Sequence, residues 1–306
     1  MNKKWASVTI IALLVVFIGY IVFDSALKKD NPPVNQSIGE VQNVTDDWIV
    51  VRVFNPGKGQ LNALAVAADG KILLGGESFV ACYDSELNLL WEYRTEMPVT
   101  ALTVSGDNVY AAVQAMILVL NMKGEKTADW GPYEDNSIIT SLSANETYVA
   151  FADAANKTVF ALDKKGALKS MIGRSDEAFV IPSFYFDIAL DSESNLFVVN
   201  PGKRRIEKRN IDGKMISFFG EPGVEPGSFC GCCNPAHFAL IPDGFVTAEK
   251  GINRIKILDE KGGFVEFVSS VNKFVPALPL DVASFEGRII YGANPADSQL
   301  YVFKRK

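Results

Sequence analysis

Residues 229–237 read Phe-Cys-Gly-Cys-Cys-Asn-Pro-Ala-His and gather three of the four cysteines and the one histidine of a 306-residue chain. Thiolate and imidazole are the ligands that suit zinc, copper and iron–sulfur chemistry. Four chemistries compete for this loop. Cys230, Cys232, Cys233 and His237 can be drawn as a shell of three thiolates and one imidazole around a transition metal, although the paired knuckles of structural zinc sites are missing. A structural disulfide, Cys230 to Cys233 or the adjacent pair Cys232 and Cys233, would stiffen a Gly- and Pro-rich loop in an oxidising compartment. Redox-active thiols and a free buried cluster are the other two. Haem attachment is excluded, because Asn, Pro and Ala separate Cys233 from His237. Cys82, which follows Phe79, Val80 and Ala81, reads as a small core residue.

The elements that must hold this loop begin with an anchor. Residues 5–23, opening with Trp5 and closing with Phe23, form a run of 19 residues without a charge, preceded by Lys3 and Lys4. As a helix this run is about 28 Å long, close to the hydrocarbon thickness of a bilayer. Trp5 and Tyr20 lie at its ends, and the leading lysines favour a cytoplasmic N-terminus. The competing reading, a cleaved signal peptide, has an apolar segment that is too long and lacks a clean cleavage site. The reading is therefore a transmembrane signal anchor over 1–23, a polar linker over 24–46, and a domain over 47–306 on the extracytoplasmic side of the membrane.

Within 47–306 a unit of strand, tight polar turn and strand recurs. Its first strand carries an apolar residue at Leu64, Leu102, Leu142, Ile188, Phe238 and Val282, at intervals of 38, 40, 46, 50 and 44 residues. Such spacing belongs to four-stranded propeller blades. The last copy has room for three strands, and the orphan strand at residues 48–54 supplies the fourth, which closes the ring and pairs both open edges. The expected fold is thus all-β: a six-bladed β-propeller of four-stranded blades, closed by an N-terminal strand and preceded by one transmembrane helix.

The fifth copy carries a more specific pattern: Gly227 and Phe229, then Pro235, an Asp243-Gly244 turn, and Asn253, Arg254 and Ile255 leading the third strand. Arg205 and Ile206 match it in part in the fourth copy. This pattern resembles the NHL repeat, over about a third of the domain. The resemblance implies an interaction platform, with a minority of relatives being enzymes that bind metal at the central channel. The cysteine insert between Phe229 and Pro235 departs from it.

Superposing the copies on their first strands places Ala63, Ala101, Ser141, Asp187, His237 and Asp281 in one column. Three consecutive blades then present Asp, His and Asp at the rim of the channel, beside the cysteine loop, while small residues elsewhere leave space. Two readings of Asp187 and Asp281 stand together: ligands of a metal or redox site, and acceptors for the backbone of the neighbouring blade. Glu249 and Lys250 read as a surface pair. The basic run Lys203, Arg204, Arg205, Lys208 and Arg209 reads as a solvated outer strand.

A net charge of -6 argues against nucleic acid as a partner. No nucleophile elbow, phosphate loop or nucleotide fingerprint is present. The function read from sequence is a membrane-anchored binding or scaffolding module with a protein or small molecule on one face of the ring. The alternative is a metal-dependent or redox protein at the channel mouth. A calcium-dependent, lactonase-like hydrolase resting on Asp187 and Asp281 is a third reading.

Overall fold

The computed structural model describes residues 46–306 apart from 175–178, 232–233, 271–272 and 276. The expected anchor and most of the linker lie outside the described residues, as do Cys232 and Cys233. Residues 45–306 form a compact unit of their own. Among the described residues no helix is long and apolar enough to cross a membrane.

Six antiparallel sheets of four strands make up the ring. Their innermost strands are Leu61–Val66, Val99–Ser105, Ile139–Ala144, Ile188–Leu190, His237–Ile241 and Asp281–Phe285, which open blades 1 to 6 in that order. In five blades the four strands follow in chain order. In blade 6 the outermost place is taken by Trp48–Phe54, which pairs antiparallel with Gln299–Arg305. The ring is therefore closed as the sequence implies.

The core is a set of six wedges, one between each pair of neighbouring blades. Side chains alternate along a strand, so each innermost strand feeds both of its neighbours. Leu64 packs with Ala283 and Tyr291 of blade 6, whereas Ala63 and Ala65 pack with Val99 and Leu102 of blade 2. The closing strand serves two wedges at once. Trp48 is buried between blades 5 and 6, and Phe54 meets Tyr83 of blade 1 edge-on at 5.3 Å.

The repeat is also built into the turns. Asn121, Asp163 and Asp259 end third strands, Asp84 directly follows one, and each accepts backbone N–H bonds from residues two and four positions on. These are the side-chain-capped turns that Asp and Asn favour. At Gly124 and Gly166 the backbone has φ of +83° at both, and a Cβ would come within 2.7 Å of the indole of Trp91 or Trp130 from the preceding blade. Glycine is needed there for both reasons.

Two expectations about charge are corrected. The basic run is not a solvated outer strand. Arg205–Arg209 is the third strand of blade 4, with Glu207 and Arg209 buried in it. Glu207 accepts from Asn200 at 2.9 Å, from Arg205 at 2.8 Å and from Arg209 at 2.7 Å. Burial works against its charge, but these bonds outweigh it and hold the carboxyl below its usual range. Nor do Glu249 and Lys250 form a surface pair. Glu249 is buried and binds Arg254 at 2.6 Å and Lys256 at 3.0 Å, while the Lys250 ammonium lies 4.9 Å from the centre of the Tyr185 ring. In both blades a carboxylate reaches the interior only with its cations.

Deleting residues 46–54 removes the fourth strand of blade 6 and opens two wedges. The deletion variant is expected to aggregate or to melt without a cooperative transition in thermal unfolding, and a synthetic peptide of those residues to restore cooperativity. Melting within a few degrees of the parent would contradict the closure.

Candidate functional site

Hairpin connections alternate between the two ends of a meander, so the links between blades and the loops joining second to third strands share one face of the ring. The first strands start at that face. The strand registers confirm the column of six read from the sequence: Ala63 pairs with Gly75, Ala101 with Ala112, Ser141 with Ala152, His237 with Ala248 and Asp281 with Ala293. Asp187 sits just before the pairing of Ile188 with Val198, and its carbonyl accepts from the N–H of Val199. All six therefore occupy equivalent places around the channel.

An innermost strand has one edge that faces the channel and has no neighbouring strand to pair with. Asp187 and Asp281 serve that edge. Asp187 Oδ2 accepts from Phe238 N of blade 5 at 2.8 Å, and Asp281 Oδ2 accepts from Leu64 N of blade 1 at 2.9 Å. Ser141 Oγ accepts from Ile188 N at 3.2 Å and donates to Asp187 Oδ1. One column earlier, donors face carbonyls: Asn62 to Val99 at 3.3 Å, Thr100 to Ile139 at 2.6 Å and Thr140 to Phe186 at 2.7 Å. Sequence reasoning passed over Asn62, Thr100 and Thr140. Their shared place one residue before the rim column is the signal that would have found them.

His237 is brought between the two carboxyls, its Nδ1 lying 3.7 Å from Asp187 Oδ2 and 3.8 Å from Asp281 Oδ1. These separations are longer than hydrogen bonds, so the attraction is mainly Coulombic. Burial disfavours the imidazolium, but the two carboxyls outweigh it and raise the His237 pKa. Burial pushes the Asp281 carboxyl up to about 6, aided by Asp187 and opposed by His237 and the Leu64 and Val282 N–H groups. Tyr185 stands edge-on to the imidazole, with ring centres 5.7 Å apart. The channel encloses about 220 Å³, walled by all six innermost strands. Ala63 and Ala101 are buried in the packing between blades, and the Ser141 hydroxyl is spent on Asp187.

The cysteine loop follows a tightly held segment. Arg254 donates to the carbonyls of Val224, Glu225 and Ser228 at 3.1, 3.1 and 2.6 Å, and Lys256 to those of Pro226 and Ser228 at 2.8 and 2.7 Å. Phe229 is buried beneath the Lys256 ammonium, 4.4 Å from the ring centre. Burial lowers the Lys256 pKa to about 8, against the pull of Glu249. Asn234 then ties Cys230 O to Lys250, with bonds of 2.7 Å to each. Cys230 carries a free thiol whose pKa is raised by burial and by Glu249. Its surroundings are thus the ions of blade 5, whereas His237 faces Asp187 and Asp281. Cys82 is a buried free thiol in the third strand of blade 1, packed in the wedge toward blade 2, with its pKa pushed up to about 11 by burial. Among the described residues no group of three His, Cys, Asp or Glu side chains is arranged to hold a metal ion.

No protein-family model and no curated protein sequence matches the chain. Solved structures do. A streptogramin B lyase is 13% identical with a TM-score of 0.60, over 85% of this chain and 98% of that one. A catalytically inactive histidine-to-alanine variant of virginiamycin B lyase from Staphylococcus aureus, with quinupristin, is 14% identical with a TM-score of 0.58, over 84% and 99%. The WD40 propeller domain of Doa1 is 14% identical with a TM-score of 0.57, over 80% and 79%. At these identities the likeness establishes the propeller fold alone.

The rim titrates with a definite sign. The Asp281 carboxyl is raised from 3.8 to about 6, so its contribution to stability is full below 3.8 and is lost as pH rises to about 6. The His237 contribution is full below 6.5 and is lost as pH rises through its raised folded value. Asn at position 281 keeps an acceptor for Leu64 N and removes the charge. In thermal melts, the stability of the parent relative to Asp281→Asn is expected to fall between pH 4 and 6. Parallel profiles would contradict the assignment.

Proposed function

We propose that the protein is a binding module of NHL-like type, held at the outer face of a membrane by residues 5–23, with the mouth of its channel as the ligand seat. One observation carries the reading: Asp187, His237 and Asp281 gather at a channel of about 220 Å³ that could have been filled with apolar side chains. A pocket with few convergent polar groups and perturbed titration is the usual mark of a binding site. The rigid ring beneath it supplies precise placement, since every rim residue is set by strand register. Anchoring rests on the length and flanks of the apolar run, and the NHL likeness on the blade-5 residues, of which Arg254 holds the segment 224–229.

The metal or redox reading depends on Cys230, Cys232, Cys233, His237, Asp187 and Asp281 acting together. Asp187 and Asp281 already accept backbone N–H bonds, and the Cys230 thiol lies with Glu249 and Arg254, so the described part of that set is divided between two environments. The lactonase-like reading asks those same carboxyls for calcium.

The test uses the full chain in its own membrane, with a photo-reactive phenylalanine analogue placed at Tyr185 on the mouth face or at Asp212 on the other. Position 185 is expected to give discrete adducts that disappear with His237→Ala, and position 212 none. The chain should stay in the membrane after alkaline carbonate washing and leave it when residues 1–24 are removed. Equal adducts from both positions, or adducts indifferent to His237→Ala, would overturn the ligand seat. Release of the intact chain by carbonate would overturn the anchor.

A further inference from the structure

Exposed large apolar side chains are not spread evenly over the ring. Among the described residues they fall on the outermost strands and on the links between blades: Met97, Ile138, Val180, Phe184, Val224, Val275 and Leu278 all lie in such links. None lies in the connections at the opposite end, which are instead occupied by the capped Asp and Asn turns and by charged residues. Phe184, at 64%, is the most exposed of them and sits one residue before Tyr185, which touches His237. The face that holds the channel mouth is therefore also the one with an apolar fringe. Exposed apolar side chains clustered on one face mark an interaction surface.

The centre of that face is acidic. Two carboxyls, Asp187 and Asp281, meet one imidazole, and a basic side chain of the same face, Lys250, lies on the Tyr185 ring. Apolar anchors around a polar centre match the anatomy of protein interfaces, and complementary charge decides what enters the centre. A lipid surface would bring phosphates against the two carboxyls. A second copy meeting this one face to face would bring the same carboxyls. A protein surface with one basic side chain among apolar ones brings the opposite charge.

We infer that this face docks a protein partner that inserts one lysine or arginine side chain into the channel mouth and lays apolar side chains on the fringe around Phe184. The inference rests on the binding-module reading and specifies its partner. The basic group is received over the cluster in which His237 lies between Asp187 and Asp281, and Phe184, Val180 and Leu278 cover the surrounding contact.

The experiment selects binders from a random 12-residue displayed peptide library against the full chain in lipid nanodiscs. Enriched peptides are expected to carry one Lys or Arg flanked by aromatic or aliphatic residues. Their affinity should drop at least tenfold with Asp281→Asn and with Phe184→Ser, and stay unchanged with Asp212→Asn on the other face. Because Phe184 is exposed, its substitution leaves the wedges intact, and melting curves check both variants. Enriched peptides that are acidic or uncharged, or that ignore both substitutions, would overturn the inference while leaving the ring a binding module. A library that yields no binder to either face would overturn both. Quenching of Phe184→Trp fluorescence by brominated lipid would assign the fringe to the bilayer. A concentration-dependent dimer abolished by Phe184→Ser would assign it to a second copy. Either result would overturn the inference.

Discussion

Six innermost strands leave six backbone edges facing one narrow channel, and buried N–H and C=O groups without partners are costly. Among the described residues the ring answers this with side chains passed from one blade to the next at every junction but that of blades 5 and 6. Asn62, Thr100 and Thr140 donate to carbonyls across blades 1 to 4, while Ser141, Asp187 and Asp281 accept N–H groups across blades 3 to 4, 4 to 5 and 6 to 1. A carboxylate accepting a backbone N–H makes one of the stronger hydrogen bonds available. The polar rim is therefore first a structural device. Its chemistry follows from the same geometry, because two carboxyls spent on neighbouring backbones leave a gap between them that His237 fills.

The rest of the ring repeats this economy further from the axis. Asn200 accepts from Val180 N at 3.0 Å while donating to Glu207, so one buried polar cluster holds the link between blades 3 and 4. In blade 3 Asp153 does comparable work, accepting from Ser137 and from the N–H of Ile138, and its carboxyl is held below its usual range by those bonds against burial. In blade 5 Arg254 and Lys256 take over, reaching carbonyls instead of N–H groups. The links into blades 3, 4 and 5 are thus fixed by the blade they enter, which places Tyr185 and the cysteine loop on a rigid base.

Much of this was legible in the residues. The intervals between Leu64, Leu102, Leu142, Ile188, Phe238 and Val282 gave the blade number, and the shortage of strands after Leu280 gave the closure by residues 48–54. The rim column was legible too, since strand register is strict wherever both faces of a strand are buried. What could not be read was which buried charges had partners. Glu249 and Lys250 are neighbours in sequence, but Glu249 turns to Arg254 and Lys256 on the next strand. Lys203 to Arg209 looks like a solvated run because Glu207 is one acid among five bases, and only the packing shows that it is the centre of the cluster. Cross-strand pairing and burial decide such cases, and neither is a local property of the chain.

The central claim is that rim side chains satisfy the unpaired inner edge of the following blade. Amide hydrogen exchange resolved at Leu64 and Phe238 tests it most directly, in the parent and in Asp281→Ala and Asp187→Ala. The account predicts that both amides are slow in the parent, that Asp281→Ala speeds Leu64 alone, and that Asp187→Ala speeds Phe238 alone. Exchange at Leu64 and Phe238 that is already fast in the parent, or that ignores these substitutions, would contradict it.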